Sequence, residues 1–300
     1  MNNKLVGTGI ALALILILIF VVFGTKTEDK ANPVSVFKSV KDLISQDKLD
    51  EAKEKLGEIA SEKPDLNGLG KQYLEIARLY EQKKDIVKTR DIYSIILEKY
   101  QNVDNILEVQ EELGRLNIEI LFSSLITDQD IIYTVEPGDT LLKIAKKFKT
   151  TIDLIKTSNS LKDNLIRAHS GLKISRIDCS LMVDKSQNLL TVFSDGVVFK
   201  VYRVSTGENN STPLGTFKIV NKIKDPVWYN QGAIVPAESP DNILGSRWLG
   251  ISKSGYGIHG TVDPKSVGQQ ATKGCVRMLN AEVEELFTII PIGTEVAIVD

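Results

Sequence analysis

The apolar residues of this chain change their spacing several times, and each change marks a new element. Residues 5–23 form an unbroken uncharged run rich in Leu and Ile. That is close to the length a helix needs to cross a bilayer. Apolarity on every side argues against a buried soluble helix. A cleaved signal peptide has a shorter apolar centre and a small-x-small site, and Val21-Val22-Phe23-Gly24-Thr25 offers no such site. Residues 1–24 are therefore expected to be an uncleaved transmembrane anchor. Lys4 on one side and Lys26 and Lys30 on the other leave its orientation open. Residues 25–33 are polar, contain Pro33 and read as a linker.

From residue 34 to 125 the apolar spacing is three and four, the helical period. Ala52, Leu56 and Ile59 share one face, and Pro64 ends that helix. This spacing resembles the second helix of a tetratricopeptide repeat. A second unit uses Tyr80, Tyr93 and Ile96, with Thr89 at the small position, and a further helix spans about residues 105–121. Two readings follow: a concave surface that binds a protein partner, or a helical spacer. At residue 131 the period shortens. Tyr133 and Val135 alternate as a strand, Pro137-Gly138 signals a turn, and Asp139 is placed to cap a helix whose apolar face is Leu142, Ala145 and Phe148. A second helix covers about residues 152–158 and a last strand ends near Ile174, giving a βααβ unit over 131–175.

Beyond residue 177 strand patterns dominate. Leu181, Val183, Leu189, Leu190, Val192 and Phe193 belong to strands, residues 197–204 and 216–220 continue the pattern, and turns fall at 185–188 and 194–196. Residues 221–256 read as a long turn-rich connection carrying Trp228, Tyr229 and Trp248. Such loops often line a binding cleft, and Trp248 fits a core position as well. Asn280 is placed to cap a helix over about 281–289, with Glu282, Glu284 and Glu285 suiting its dipole, before a final strand over 295–299. The fold class is multidomain: a transmembrane helix, an α-helical repeat region, a small βααβ module and a mostly-β sandwich or barrel over 177–300.

Three hundred residues allow several domains. The net charge is −2, with no basic run, so nucleic acid is not an expected partner. Two cysteines cannot form a disulfide framework. Cys179 reads as a buried strand residue; bridging it to Cys275 would consume the more interesting thiol. His169 reads as an exposed loop residue, and no metal or organic cofactor is expected.

The candidate chemistry lies between His259 and Asn280. A thiol attacks only as thiolate, which is scarce at neutral pH. His259 can take the proton of Cys275, and Lys273 can add positive potential. Gly274 lets the backbone turn sharply before the sulfur. Backbone N–H groups near Gly274 and Cys275 could then hold an oxyanion, a donor typically worth roughly 3–4 kcal/mol.

The sequence Ile258-His259-Gly260-Thr261 followed by Thr272-Lys273-Gly274-Cys275-Val276-Arg277-Met278 resembles the signature of the L,D-transpeptidase (YkuD-type) catalytic domain. Val204-Ser205-Thr206-Gly207, Thr212-Pro213-Leu214-Gly215-Thr216-Phe217, Asp225-Pro226-Val227-Trp228-Tyr229 and Leu244-Gly245-Ser246-Arg247-Trp248 also have counterparts there. One position departs: Lys273 stands where the family usually has a second histidine. The resemblance implies a thioester on Cys275 with His259 as base, acting on peptidoglycan stem peptides to form 3→3 cross-links or to load other acceptor amines. It implies loop support from Thr272, Lys273, Gly274 and Gly260. Arg277 either orients the loop or pairs with a substrate carboxylate, and Trp228, Tyr229 and Trp248 line the cleft. Residues 131–175 resemble a LysM domain through Tyr133-Thr134-Val135-Glu136-Pro137-Gly138-Asp139-Thr140-Leu141, Ile144-Ala145-Lys146-Lys147-Phe148, Asn159 and Gly171-Leu172-Lys173-Ile174, which implies binding to peptidoglycan glycan. The implied location is the bacterial envelope, anchored in the cytoplasmic membrane with the body outside. Hydrolysis of the same thioester (carboxypeptidase or endopeptidase) and a non-catalytic wall-binding scaffold remain as alternatives.

Overall fold

The computed structural model describes residues 36–230 and 232–300. The expected anchor at 5–23 and the linker at 25–33 lie outside the described residues. Among the described residues no helix is long and apolar enough to cross a membrane.

Five helices come first: α1 (Lys38–Ser45), α2 (Leu49–Glu62), α3 (Leu69–Gln82), α4 (Ile86–Lys99) and α5 (Ile106–Phe122). Each packs on the next. The cause is the spacing already noted: Ala52, Leu56 and Ile59 on α2 are buried together with Leu49, and they share one core with Tyr80, Tyr93 and Ile96. Asp85 caps α4 by accepting from the Lys88 N–H at 3.1 Å. Thr89 is buried and donates to the Asp85 carbonyl, so a hydroxyl fits the small position without an orphaned donor.

The next unit is β1 (Asp130–Thr134), α6 (Leu141–Lys147), α7 (Ile152–Ser158) and β2 (Gly171–Ser175), with β1 and β2 antiparallel. Two local expectations are corrected. The cap of α6 is Thr140, whose hydroxyl accepts from the Lys143 N–H. Asp139 instead accepts from Tyr133 Oη at 2.7 Å and from the Glu136 N–H at 2.9 Å, which closes the Pro137-Gly138 turn. With the helix starting one residue later, its buried face is Leu141, Ile144 and Ala145, and Leu142 points to solvent.

This unit does not hang free. Leu154 of α7 is buried in the same core as Ile118 and Leu121 of α5 and the strands that follow. Thr151 Oγ1 donates to the Thr288 carbonyl and Lys224 Nζ reaches Asp153 at 2.9 Å. Lys173 Nζ donates to the carbonyls of Ile120 and Ser123, each at 3.0 Å, with Asp130 at 3.7 Å. Burial in this site holds the Lys173 ammonium below its ordinary pKa.

The last unit contains β3 (Cys179–Asp184), β4 (Leu189–Ser194), β5 (Val197–Arg203), β6 (Thr206–Gly207), β7 (Gly215–Lys224), β8 (Trp228–Asn230), β9 (Ala233–Val235), β10 (Arg247–Ile251), β11 (Gly257–His259), β12 (Gln270–Thr272), β13 (Val276–Arg277), α8 (Asn280–Ile289) and β14 (Glu295–Val299). Eight strands form one mixed sheet in the order β13-β11-β10-β7-β14-β3-β4-β5. Its buried residues, among them Val183, Leu190, Val192, Leu249 and Val296, enclose Val283, Leu286 and Phe287 of α8 in one core. The expected connection at 221–256 is not all loop. Strand β7 continues to Lys224, and β10 pairs between β7 and β11. Gly250 within β10 hid the strand, because glycine weakens the pattern.

Candidate active site

Strands β10, β11 and β13 build the site. β11 pairs antiparallel with β10, opposing His259 to Trp248, and parallel with β13, opposing Ile258 to Val276 and His259 to Arg277. Cys275 precedes β13 by one residue, so it falls across from Gly257. His259 is two positions further along, a diagonal neighbour on the same side of the pleat. The fifteen residues that separate the two in sequence are closed by this ladder.

Cys275 Sγ lies 3.7 Å from the Gly255 carbonyl. Burial pushes its thiol up, and the Gly257 backbone and the Arg277 charge oppose that push. The turn before it is held from several sides. Gly274 has φ of 123°, and a Cβ there would sit 2.7 Å from the Tyr256 ring and 3.0 Å from the Ser211 carbonyl. Thr272 Oγ1 donates to the Cys275 carbonyl at 2.7 Å and accepts from the Gly274 N–H at 3.1 Å. Thr272 thus holds the loop, not His259.

His259 is buried, with its ring stacked on Trp248 at 5.9 Å between centroids. Its Nδ1 lies 2.7 Å from the Gly260 carbonyl. A carbonyl only accepts, so Nδ1 carries the proton and Nε2 keeps its lone pair. Desolvation lowers the pKa to about 4, with the Arg277 charge adding to it and the carbonyls of Gly260 and Leu244 opposing it. At neutral pH the ring is a neutral base.

The positive charge beside the pair belongs to Arg277, not Lys273. Arg277 Nη1 donates to Ser266 Oγ at 2.8 Å, its backbone bonds Ser205 in both directions, and its Nε is buried without a partner among the described residues. Lys273 is exposed and makes no ion pair among the described residues.

Beside Trp248 opens a cavity of about 390 Å³ lined by Val220, Asn221, Ser252, Gly255 and Tyr256 among others. Trp248 Nε1 donates to Asn221 Oδ1 at 3.1 Å, which fixes the indole as a wall. Trp228 and Tyr229 do not line it. They lie on the separate β8–β9 hairpin, where Tyr229 faces solvent. Tyr256, Asn221, Gly255 and Ser211 were not singled out from the sequence; Tyr256 could have been, since it stands three residues before His259. Among the described residues no group of three His, Cys, Asp or Glu side chains is arranged to hold a metal ion.

Comparison with known proteins supplies independent findings. The profile of the YkuD L,D-transpeptidase catalytic domain matches residues 180–298, and that of the LysM domain matches residues 133–175. YqjB of Bacillus subtilis (strain 168), classed with the L,D-transpeptidases, is 42% identical over 129 residues, covering 41% of this chain and 72% of that protein. YkuD of the same strain, classed likewise, is 35% identical over 175 residues, covering 56% of this chain and 98% of that protein. Among solved structures, the catalytic domain of an L,D-transpeptidase from E. faecium matches at 24% identity and a TM-score of 0.35, covering 41% of this chain and 97% of that one.

Proposed function

The chain belongs to the L,D-transpeptidase family, and from that premise we propose that it is a peptidoglycan cross-linking acyltransferase working through a thioester on Cys275. His259 Nε2 takes the Cys275 proton as sulfur attacks the carbonyl of the third residue of a tetrapeptide stem. The C–N bond to the terminal D-alanine breaks, and His259 returns the proton to the departing amine. An amine from a neighbouring stem then attacks the thioester, His259 takes its proton, and the thiol is restored with a 3→3 link formed. The observation that carries this reading is the Gly260 carbonyl on His259 Nδ1, which leaves Nε2 as the ring's proton acceptor, with the strand register setting His259 on the same side of the pleat as Cys275. Because both groups rest neutral, the proton moves with attack and no standing thiolate is required. The Gly274 N–H is already bound to Thr272. The oxyanion is therefore assigned to the Cys275 N–H rather than to both amides. Arg277 is assigned to holding the loop and setting the potential, and Trp248 and Tyr256 to the cleft wall.

The LysM and transpeptidase domains support peptidoglycan as the partner and the cell envelope as the location. The LysM loops are open to solvent, with Leu165 81% exposed. The repeat-like spacing of the helical region at Ala52, Leu56 and Ile59 is the ground for proposing a protein partner there.

The test is incubation of the full chain in detergent with tetrapeptide-stem muropeptides, followed by mass spectrometry, beside Cys275→Ala and His259→Ala. Release of D-alanine with dimers, lost in both variants, supports the proposal. Release without dimers, with acceptor present, moves the reading to a carboxypeptidase. No turnover and no acyl-enzyme moves it to a wall-binding scaffold.

A further inference from the structure

We infer that Asn280 is a positioning residue for the His259 base, acting through the Gly260–Thr261 peptide. This rests on the proposed role of His259. Asn280 Oδ1 accepts from the Thr261 N–H at 3.0 Å and from the Ser246 N–H at 3.1 Å. Both partners are donors, so the oxygen's identity is fixed by chemistry. The Thr261 N–H and the Gly260 carbonyl belong to one planar peptide unit. Holding the N–H at one edge therefore aims the C=O at the other edge, and that carbonyl lies 2.7 Å from His259 Nδ1. The chain runs Asn280 Oδ1, Thr261 N–H, Gly260 C=O, His259 Nδ1–H, and each bond polarises the next. A peptide group here does the orienting that a carboxylate does in other nucleophile–base systems.

The surrounding sequence is shaped to admit that oxygen. A Cβ at Gly245 or at Gly260 would collide with Asn280 Oδ1, and Gly245 has φ of 64°. The preceding peptide is held as well: the Gly260 N–H bonds the Arg247 carbonyl at 3.2 Å, and the His259 carbonyl accepts from the Met278 N–H at 2.8 Å. Asn280 sits at the first turn of α8, whose N-cap is Leu279, and its side chain makes no cap. The expectation that Asn280 caps this helix is thereby corrected: its oxygen is spent on the histidine strand.

The experiment uses the full chain in detergent, labelled with ¹⁵N-histidine. Only His169 and His259 contribute, and His169→Gln assigns them. The native His259 should show one tautomer, protonated at Nδ1. Asn280→Ala should give a tautomer mixture and lower kcat roughly 10- to 100-fold, part of what general acid–base catalysis supplies, with KM little changed. Asn280→Asp keeps an accepting oxygen and adds charge. It should retain the single tautomer and move the acid limb of the kcat–pH profile upward. A single unchanged tautomer and native kcat in Asn280→Ala, or an Asn280→Asp variant indistinguishable from Asn280→Ala, overturns the inference. The tautomer is read without turnover, so it stands apart from any failure of Cys275→Ala to abolish activity.

Discussion

The two thiols of this chain share partial burial and the upward pKa shift it causes, and differ in what surrounds them. Both are partly buried and neither is bonded to the other. At Cys179, the first residue of β3, burial pushes the thiol up to about 12, with Asp178 and Asp195 adding to the effect. At Cys275 burial also raises the pKa, and Arg277 and the Gly257 backbone resist it. Cys179 lies opposite Ser194 at the end of a regular ladder. Cys275 follows a glycine at positive φ, borders an open cavity through Gly255, and stands across the sheet from a neutral imidazole. If Cys275 is the nucleophile, as proposed, the contrast teaches that acidity of the resting thiol does not mark it. A base within the same ladder and room for substrate do.

The contrast can be broken at several points. The largest expected effect is Cys275→Ala, which should reduce turnover by roughly 10⁴-fold or more, as loss of a nucleophile does elsewhere, measured as D-alanine release. Next comes acid. His259 has a folded pKa lowered to about 4 from 6.5, so its stability contribution is present above pH 6.5 and is lost as pH falls through 4. The loss should be on the order of 3 kcal/mol, read from urea unfolding at pH 7.5 and pH 4. The raised Cys275 thiol works on the other side: its contribution is lost as pH rises above 9. Gly274→Ala should cost about 1–3 kcal/mol, because φ of 123° and the Tyr256 ring both oppose a side chain; thermal unfolding and slowed turnover would show it. Smallest is Cys179→Ala. It should lower stability by about 1 kcal/mol and leave D-alanine release untouched.

Much of this was legible in the sequence because it depends on local period and short motifs. The helix at residues 49–62 followed from Ala52, Leu56, Ile59 and Pro64, and the His259 and Cys275 signatures lie on strands that the sheet brings side by side. What stayed hidden depends on register and on tertiary partners. Asp139 and Thr140 are both good caps, and only the Tyr133 hydroxyl decides between them. Asn280 precedes a helix as a capping residue would, yet Ser246 and Thr261 capture its oxygen. Strand β10 was masked by its glycine, and so Trp248 could not be told from a loop residue. The burial of Ile118 and Leu121 in the catalytic core makes α5 part of two cores at once. A cut at residue 131 would strip those side chains away and expose apolar surface of the enzyme.

The Lys173 clasp has a mechanical consequence. A module on a slack linker lets tension in its polymer dissipate in coil. Here Lys173 bolts the end of α5 to β2, and Thr151 bolts α7 to the end of α8. A glycan strand drawn taut through the LysM module would therefore turn the transpeptidase with it, as a handle turns a blade. Under the proposed function, the heading of the cleft would follow the lie of the strand being held.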